Sequence, residues 1–226
     1  MPRNYFWEYS SREEYIVRKR IDTFFSNLWI PCEYIQDNTW YHDCKIRFIY
    51  NDIEYEFIVQ VKEDELYRYG QTGNLGFDFI SAFKYNNDDI KKDCIKNHNR
   101  IRKENINDFI ENKIKVRKFW KLITCDADIH IFYIEDDNNH ETVFLQAYSN
   151  YQLQSEEFIN YIISHYDLRI NKKSDYNLDD DRESAAFFIK PTDTMVKKAE
   201  INEVWDLISI YENREDLKNH KSTLFL

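Results

Sequence analysis

Three glycines and three prolines among 226 residues leave no room for collagen-like or Pro/Gly-rich linker composition. No apolar run approaches the ~18 residues that a membrane span needs. The N-terminal MPRNYFWEYSSREEY has no apolar core, so no secretory signal is expected. The four cysteines (Cys32, Cys44, Cys94 and Cys125) are widely spaced and form no CxxC pair. They read as reduced thiols in a cytoplasmic protein rather than as a zinc site. The six histidines show neither HxH nor HExxH spacing, and no Walker loop, GxSxG or GxGxxG occurs. A nucleotide cofactor, serine hydrolysis and dinucleotide binding therefore have no support.

What is present is enough to build a core. Ile, Phe, Tyr and Val recur along nearly the whole chain, and aromatics make up 17% of it. The mean hydropathy of -0.74 therefore does not imply disorder. The length favours one domain spanning residues 1–226. The net charge is -10, but it is unevenly spread. Between Lys91 and Lys121 eleven Lys or Arg face four acids, a local balance of +7 that leaves -17 for the rest. Salt screens fields within about 8–10 Å, so a positive face on an acidic protein can still meet phosphate.

The periodicity predicts a helix over 10–29, with Ser11 and Glu14 at capping-box spacing and Pro31 ending it. Two strand-like runs follow, Trp40–Tyr50 and Glu54–Lys62, joined by an Asn51-Asp52 turn. In the second run Tyr55, Phe57, Val59 and Val61 share one face, and Glu54, Glu56, Ile58, Gln60 and Lys62 the other. All three glycines sit in RYGQTGNLG, a loop that leads into a strand at Leu75–Phe83. Residues 88–120 read as one or two basic helices. A second hairpin is expected from Ala127–Ile134 and Glu141–Ala147, then a capped helix over Ser155–His165. An acidic loop at about 171–183, a strand over Ala185–Lys190 and a last helix over Ile201–Ile210 complete the reading.

One constellation carries chemistry. A two-residue turn sets the register of the hairpin so that Asp43 faces Gln60. Gln60 and Lys62 are two apart in a strand and project from the same face. A carboxylate, an amide oxygen and an ammonium then converge. Phosphodiester hydrolysis uses such a set, with oxygen ligands for Mg²⁺ and a Lys to orient water and stabilise charge. Glu14 on the first helix would add a second carboxylate, and otherwise serves as the partner of the Ser11 cap.

Asp43 followed by Gln60-Val61-Lys62 on consecutive strands resembles the PD-(D/E)xK, or restriction-endonuclease-like, nuclease signature. VKEDELYRYGQTGNLGFDFIS resembles the segment after the signature in phage-type members, with Thr72, Gly73 and Asn74 on their TGN turn and Asp78 on the downstream acid. Ala127-Asp128 before Ile129-His130-Ile131 resembles their later AD strand, and FFIKP at 187–191 their final core strand. The chain departs from the pattern twice. Gln60 stands where Glu or Asp is commonest, as in the QxK of Mrr-type enzymes, and residues 84–119 are far longer than the family's connection.

The resemblance implies an α/β fold with a restriction-endonuclease-like core, a mixed central sheet flanked by helices, and a basic helical insertion at about 84–121. It implies a Mg²⁺-dependent DNA endonuclease (Mn²⁺ substituting) with Asp43, Gln60 and Glu14 as metal ligands and Lys62 as the catalytic cation. Thr72, Asn74, Lys91, Lys92, Lys96, Arg100, Arg102 and Lys103 are the candidate DNA contacts. Homodimers are common in such enzymes. The alternatives are a catalytically inactive member acting as a DNA- or protein-binding module, and a structure-specific junction resolvase. Asp78 and Asp128 are expected to support the loop or pair with Lys rather than bind metal.

Overall fold

A computed structural model describes residues 15, 17–36, 42–63, 73–119, 125–136, 141–172 and 183–220. The strands in chain order are β1 (Glu33–Gln36), β2 (Cys44–Tyr50), β3 (Ile53–Glu63), β4 (Leu75–Tyr85), β5 (Arg100–Ile101), β6 (Ile114–Phe119), β7 (Ile129–Glu135), β8 (Thr142–Ser149), β9 (Leu168–Lys172), β10 (Glu183–Ile189) and β11 (Glu200–Ile201). The helices are α1 (17–27), α2 (Asp88–Lys96), α3 (Ile106–Asp108), α4 (Asn150–Leu153), α5 (Glu156–His165), α6 (Thr194–Lys198), α7 (Val204–Glu212) and α8 (Arg214–Asn219). No helix among the described residues is long and apolar enough to cross a membrane, and all four cysteines are free thiols.

The described residues divide into two compact units. The first is built on a six-stranded mixed sheet in the order β1-β2-β3-β7-β8-β11, in which β3 and β7 run parallel and all other neighbours antiparallel. Its founding element is the β2–β3 hairpin. Asn51 and Asp52 take φ of 51° and 63°, the left-handed pair of a type I′ turn, which these short polar side chains tolerate. The turn sets the predicted register, from Tyr50 opposite Ile53 to Cys44 opposite Val59.

Alternation then separates the faces of this sheet. Phe48, Tyr55, Phe57 and Val59 are buried, with Phe48 stacked on Phe57 at 5.8 Å. Two helices cover this face. α1 brings Phe25 to 6.0 Å from Phe48, and α7 brings Tyr211 to 5.1 Å from Tyr55. α7 begins at Val204, later than predicted, because Asp206 Oδ2 accepts from Asn202 and Glu203 N–H (2.8 and 2.9 Å) and fixes its start. α1 ends before Pro31 is reached. Trp29 adopts φ 59° and Ile30 N donates to Phe25 O, a left-handed cap to which Pro31 is only a sequel.

The second unit is a five-stranded antiparallel sheet in the order β5-β9-β10-β4-β6. Its Phe77 packs 6.0 Å from Phe158 of α5, whose cap is the predicted one, Ser155 accepting from Phe158 N. The unit takes its described residues from 73–119, from Cys125, from Asn150–Ala199 and from 216–220, and the described part of the basic stretch, 84–119, lies among them.

That stretch is also less helical than predicted. α2 stops where His98 and Asn99 both adopt φ 55°. A short strand, a 3-10 turn (Lys103–Asn105), α3, a π turn (Phe109–Lys113) and β6 follow. The apolar spacing of Ile101, Ile106, Phe109 and Ile114 buries these residues without a continuous helix. β1, β9 and α8 were likewise not anticipated, and most of the acidic loop, 173–182, lies outside the described residues.

Candidate functional site

The hairpin carries Asp43 to the open end of β2, beside the last residues of β3. Asp43 N donates to Val59 O at 3.1 Å, extending the ladder one residue beyond β2. Its Oδ2 then accepts two hydrogen bonds, from Gln60 Nε2 at 2.5 Å and from Val61 N–H at 2.6 Å. Gln60 Nε2 donates a second time, to Val61 O at 3.2 Å. Gln60 is buried, and its Oε1 has no hydrogen-bond partner among the described residues. An amide with both protons engaged and its oxygen unsatisfied in a buried position is costly unless something else uses that oxygen. Lys62 follows two residues on, half-buried and on the same face, in register with Phe132.

Neighbouring segments hold this corner of the sheet in place. Asp128 Oδ2 accepts from Ile58 N at 2.8 Å while Asp128 N donates to Ile58 O at 2.8 Å, clamping β3 just before its parallel pairing with β7 begins. These Asp128 bonds run to a strand rather than to the glycine loop or to a lysine. His42 is buried, and its Nδ1 lies 2.9 Å from Asp126 Oδ1. Asp126 was missed in the sequence because 84 residues separate the two. His130 was missed as well. It stands beside Gln60 in the parallel register, 2% exposed, its ring 4.7 Å from that of Phe132. No spacing rule marks it, because only strand pairing creates the row Asp43–Gln60–His130.

The donor set favours a hard cation over a soft one. Burial first, and then the Asp43 carboxylate, push the Cys44 thiol far above its usual range, so it stays protonated beside the site. Burial raises Cys32 to about 11. Among the described residues no three His, Cys, Asp or Glu side chains are grouped to hold a metal ion. One carboxylate and one amide oxygen remain, a set suited to Mg²⁺, which takes one or two protein oxygens and keeps several waters. Glu14 and Thr72 lie outside the described residues.

The other candidate contacts belong to the second unit. Several of its cations are already paired: Lys91 with Glu183 (3.9 Å), Lys92 with Asp89 (3.2 Å), Lys96 with Asp93 (3.7 Å), and Arg100 with Asp167. The positive balance counted along the sequence is thus weaker on the surface. Arg102 and Lys103 are exposed and form no ion pair among the described residues. Asn74 and Asp78 are half-buried at the start of β4 and within it. No protein-family model, no curated protein and no solved structure matches this chain.

Proposed function

We propose that the protein is a cytoplasmic, metal-dependent DNA endonuclease of the PD-(D/E)xK type. The observation that carries this reading is the 2.5 Å contact between Gln60 Nε2 and Asp43 Oδ2, which joins the two halves of the signature on adjacent strands. The six-stranded mixed sheet with helices packed on it is a compatible scaffold.

Asp43 and the Gln60 Oε1 would hold Mg²⁺ or Mn²⁺. The bound ion would neutralise charge on the scissile phosphate and make its water acidic. Lys62 orients that water and opposes the negative charge that grows on the phosphate. The Val61 N–H keeps the Asp43 carboxylate turned toward β3, so its position does not depend on the ion.

Cleavage of supercoiled plasmid tests this. Wild type should nick or linearise it with Mg²⁺ or Mn²⁺ and not in EDTA, and Lys62→Ala should be slower by about 10²-fold or more. Folded wild type that cuts neither plasmid nor a branched oligonucleotide with either metal would overturn the reading, whereas preference for the branched DNA would make it a junction resolvase. A second reading, a non-catalytic binding module of the same fold, is favoured by one observation. Asp43 Oδ2 already holds two protein donors.

A further inference from the structure

The second unit has two faces of different character. One buries Leu168, Ile170, Phe77 and Phe187, with Phe77 6.0 Å from Phe158 of α5. The register places Arg100, Arg169, Ala186 and Asp78 in a row on the other. Arg100 and Arg169 are direct partners across β5 and β9. Like charges in that position repel, and a fold normally avoids them. Arg169 is half-buried and has no ion pair within 4.0 Å among the described residues; it is balanced only at longer range, by Asp167, whose carboxylate already pairs with Arg100.

These two arginines open onto a cleft of about 410 Å³, within the range of small-ligand sites. Lys103 lines it from the 3-10 turn, and Asn74 from the approach to β4. Its aromatic walls are Phe188 and Tyr166. The Tyr166 hydroxyl donates to Asp193 Oδ2 at 2.6 Å, so that ring is fixed before any ligand arrives. Asp167 is the acid of the cleft. It accepts from the Lys103 backbone N–H at 2.9 Å, which anchors the turn, and from the Arg100 guanidinium, which orients that cation. Three cations against one carboxylate leave a surplus of two positive charges.

We propose that this cleft binds the terminal phosphate of a nucleotide, either free or at the end of a DNA strand. A phosphate monoester is close to a dianion at neutral pH, matching the surplus of two, whereas a diester within a strand carries one charge. Paired guanidinium groups suit the planar, bidentate recognition of phosphate oxygens. Phe188 and Tyr166 line the same cleft, and aromatic side chains there would be at hand for the attached base to stack on. The site lies wholly within the second unit and does not depend on the Asp43–Gln60 corner being catalytic.

Binding measured in EDTA separates this proposal from the nuclease reading, because no cutting is needed. The probes are labelled single-stranded oligonucleotides of one sequence, with a phosphate at the 5′ end, at the 3′ end or at neither. The phosphorylated form at one end or both should bind at least tenfold tighter than the unphosphorylated one. Arg169→Gln should abolish the difference, Arg169→Lys should retain part of it, and both variants should keep the wild-type circular dichroism spectrum. Competition by a nucleoside monophosphate at similar concentration would identify a free nucleotide as the ligand, and its failure to compete would identify a strand end. Equal binding of all three oligonucleotides, or a preference that survives in well-folded Arg169→Gln, would overturn the proposal.

Discussion

Gln60 and Asp43 are joined by a 2.5 Å hydrogen bond in which the amide nitrogen, not its oxygen, faces the carboxylate. A cation shared by the two side chains must therefore break this bond, and it would draw on the oxygen that now has no partner among the described residues.

Replacing Gln60 by Glu makes this competition measurable. Without metal, two carboxylates at hydrogen-bond distance repel, and the variant should lose about 1–3 kcal/mol of stability at pH 8 in EDTA. The loss should shrink at pH 5, where the pair can share a proton. Mg²⁺ should raise the Tm of Gln60→Glu more than that of wild type. Thermal denaturation in EDTA and in Mg²⁺ checks this, and a variant indifferent to Mg²⁺ would count against Asp43 and residue 60 as joint ligands.

The Asp128 clamp gives a stability prediction distinct from catalysis. Asp128→Ala should cost about 1–3 kcal/mol, because Ile58 N–H loses its acceptor at a partly buried site. Asp128→Asn keeps an acceptor oxygen and should cost less. Chemical denaturation of the two variants gives the comparison.

At the end of α1, Trp29 holds a left-handed backbone conformation with 92% of its surface exposed. Its side chain has few contacts to lose. Trp29→Gly should therefore stabilise the protein by about 1 kcal/mol, the strain that a Cβ adds in this region. Trp29→Ala keeps the Cβ and should not stabilise, and denaturation midpoints distinguish the two.

Asp193 provides an acid-range signature. Burial opposes its ionisation. The Tyr166 hydroxyl, the Met195 N–H and the Tyr161 hydroxyl outweigh that and hold its carboxyl below the usual range. Its contribution is thus complete above the unfolded value near pH ~4 and is lost as pH falls through the lower folded value. Asp193→Asn should be less stable than wild type at pH 6, and the gap should narrow as the pH approaches 2. Stability measured along that pH series is the check.

The β2–β3 hairpin was legible because its signals are local. Asn51-Asp52 selects the turn, and the turn selects the register that sets Asp43 against Gln60. Ser155 announced its helix for the same reason. β6 was hidden by its charge. In Ile114-Lys115-Val116-Arg117 the alternation is present, but Ile106, Phe109, Ile110 and Ile114 just before it repeat at helical spacing, so the two periods overlap in a run rich in lysine and arginine. Strands of two residues, such as β5 and β11, have no period to read. The His42–Asp126 pair, the placing of His130 beside Gln60 and the Arg100–Arg169 pairing exist only once distant strands meet.

The parallel junction between β3 and β7 also has a temporal consequence. Gln60 meets Asp43 through a turn of two residues, but it meets His130 only across a long intervening stretch of chain. Local hairpins close within microseconds, whereas synthesis of the residues between β3 and β7 takes several seconds at about 5–20 residues per second. During translation the Asp43–Gln60 corner therefore has one finished edge and one open edge. The open edge of β3, ready to accept a strand from elsewhere, stays exposed until β7 emerges.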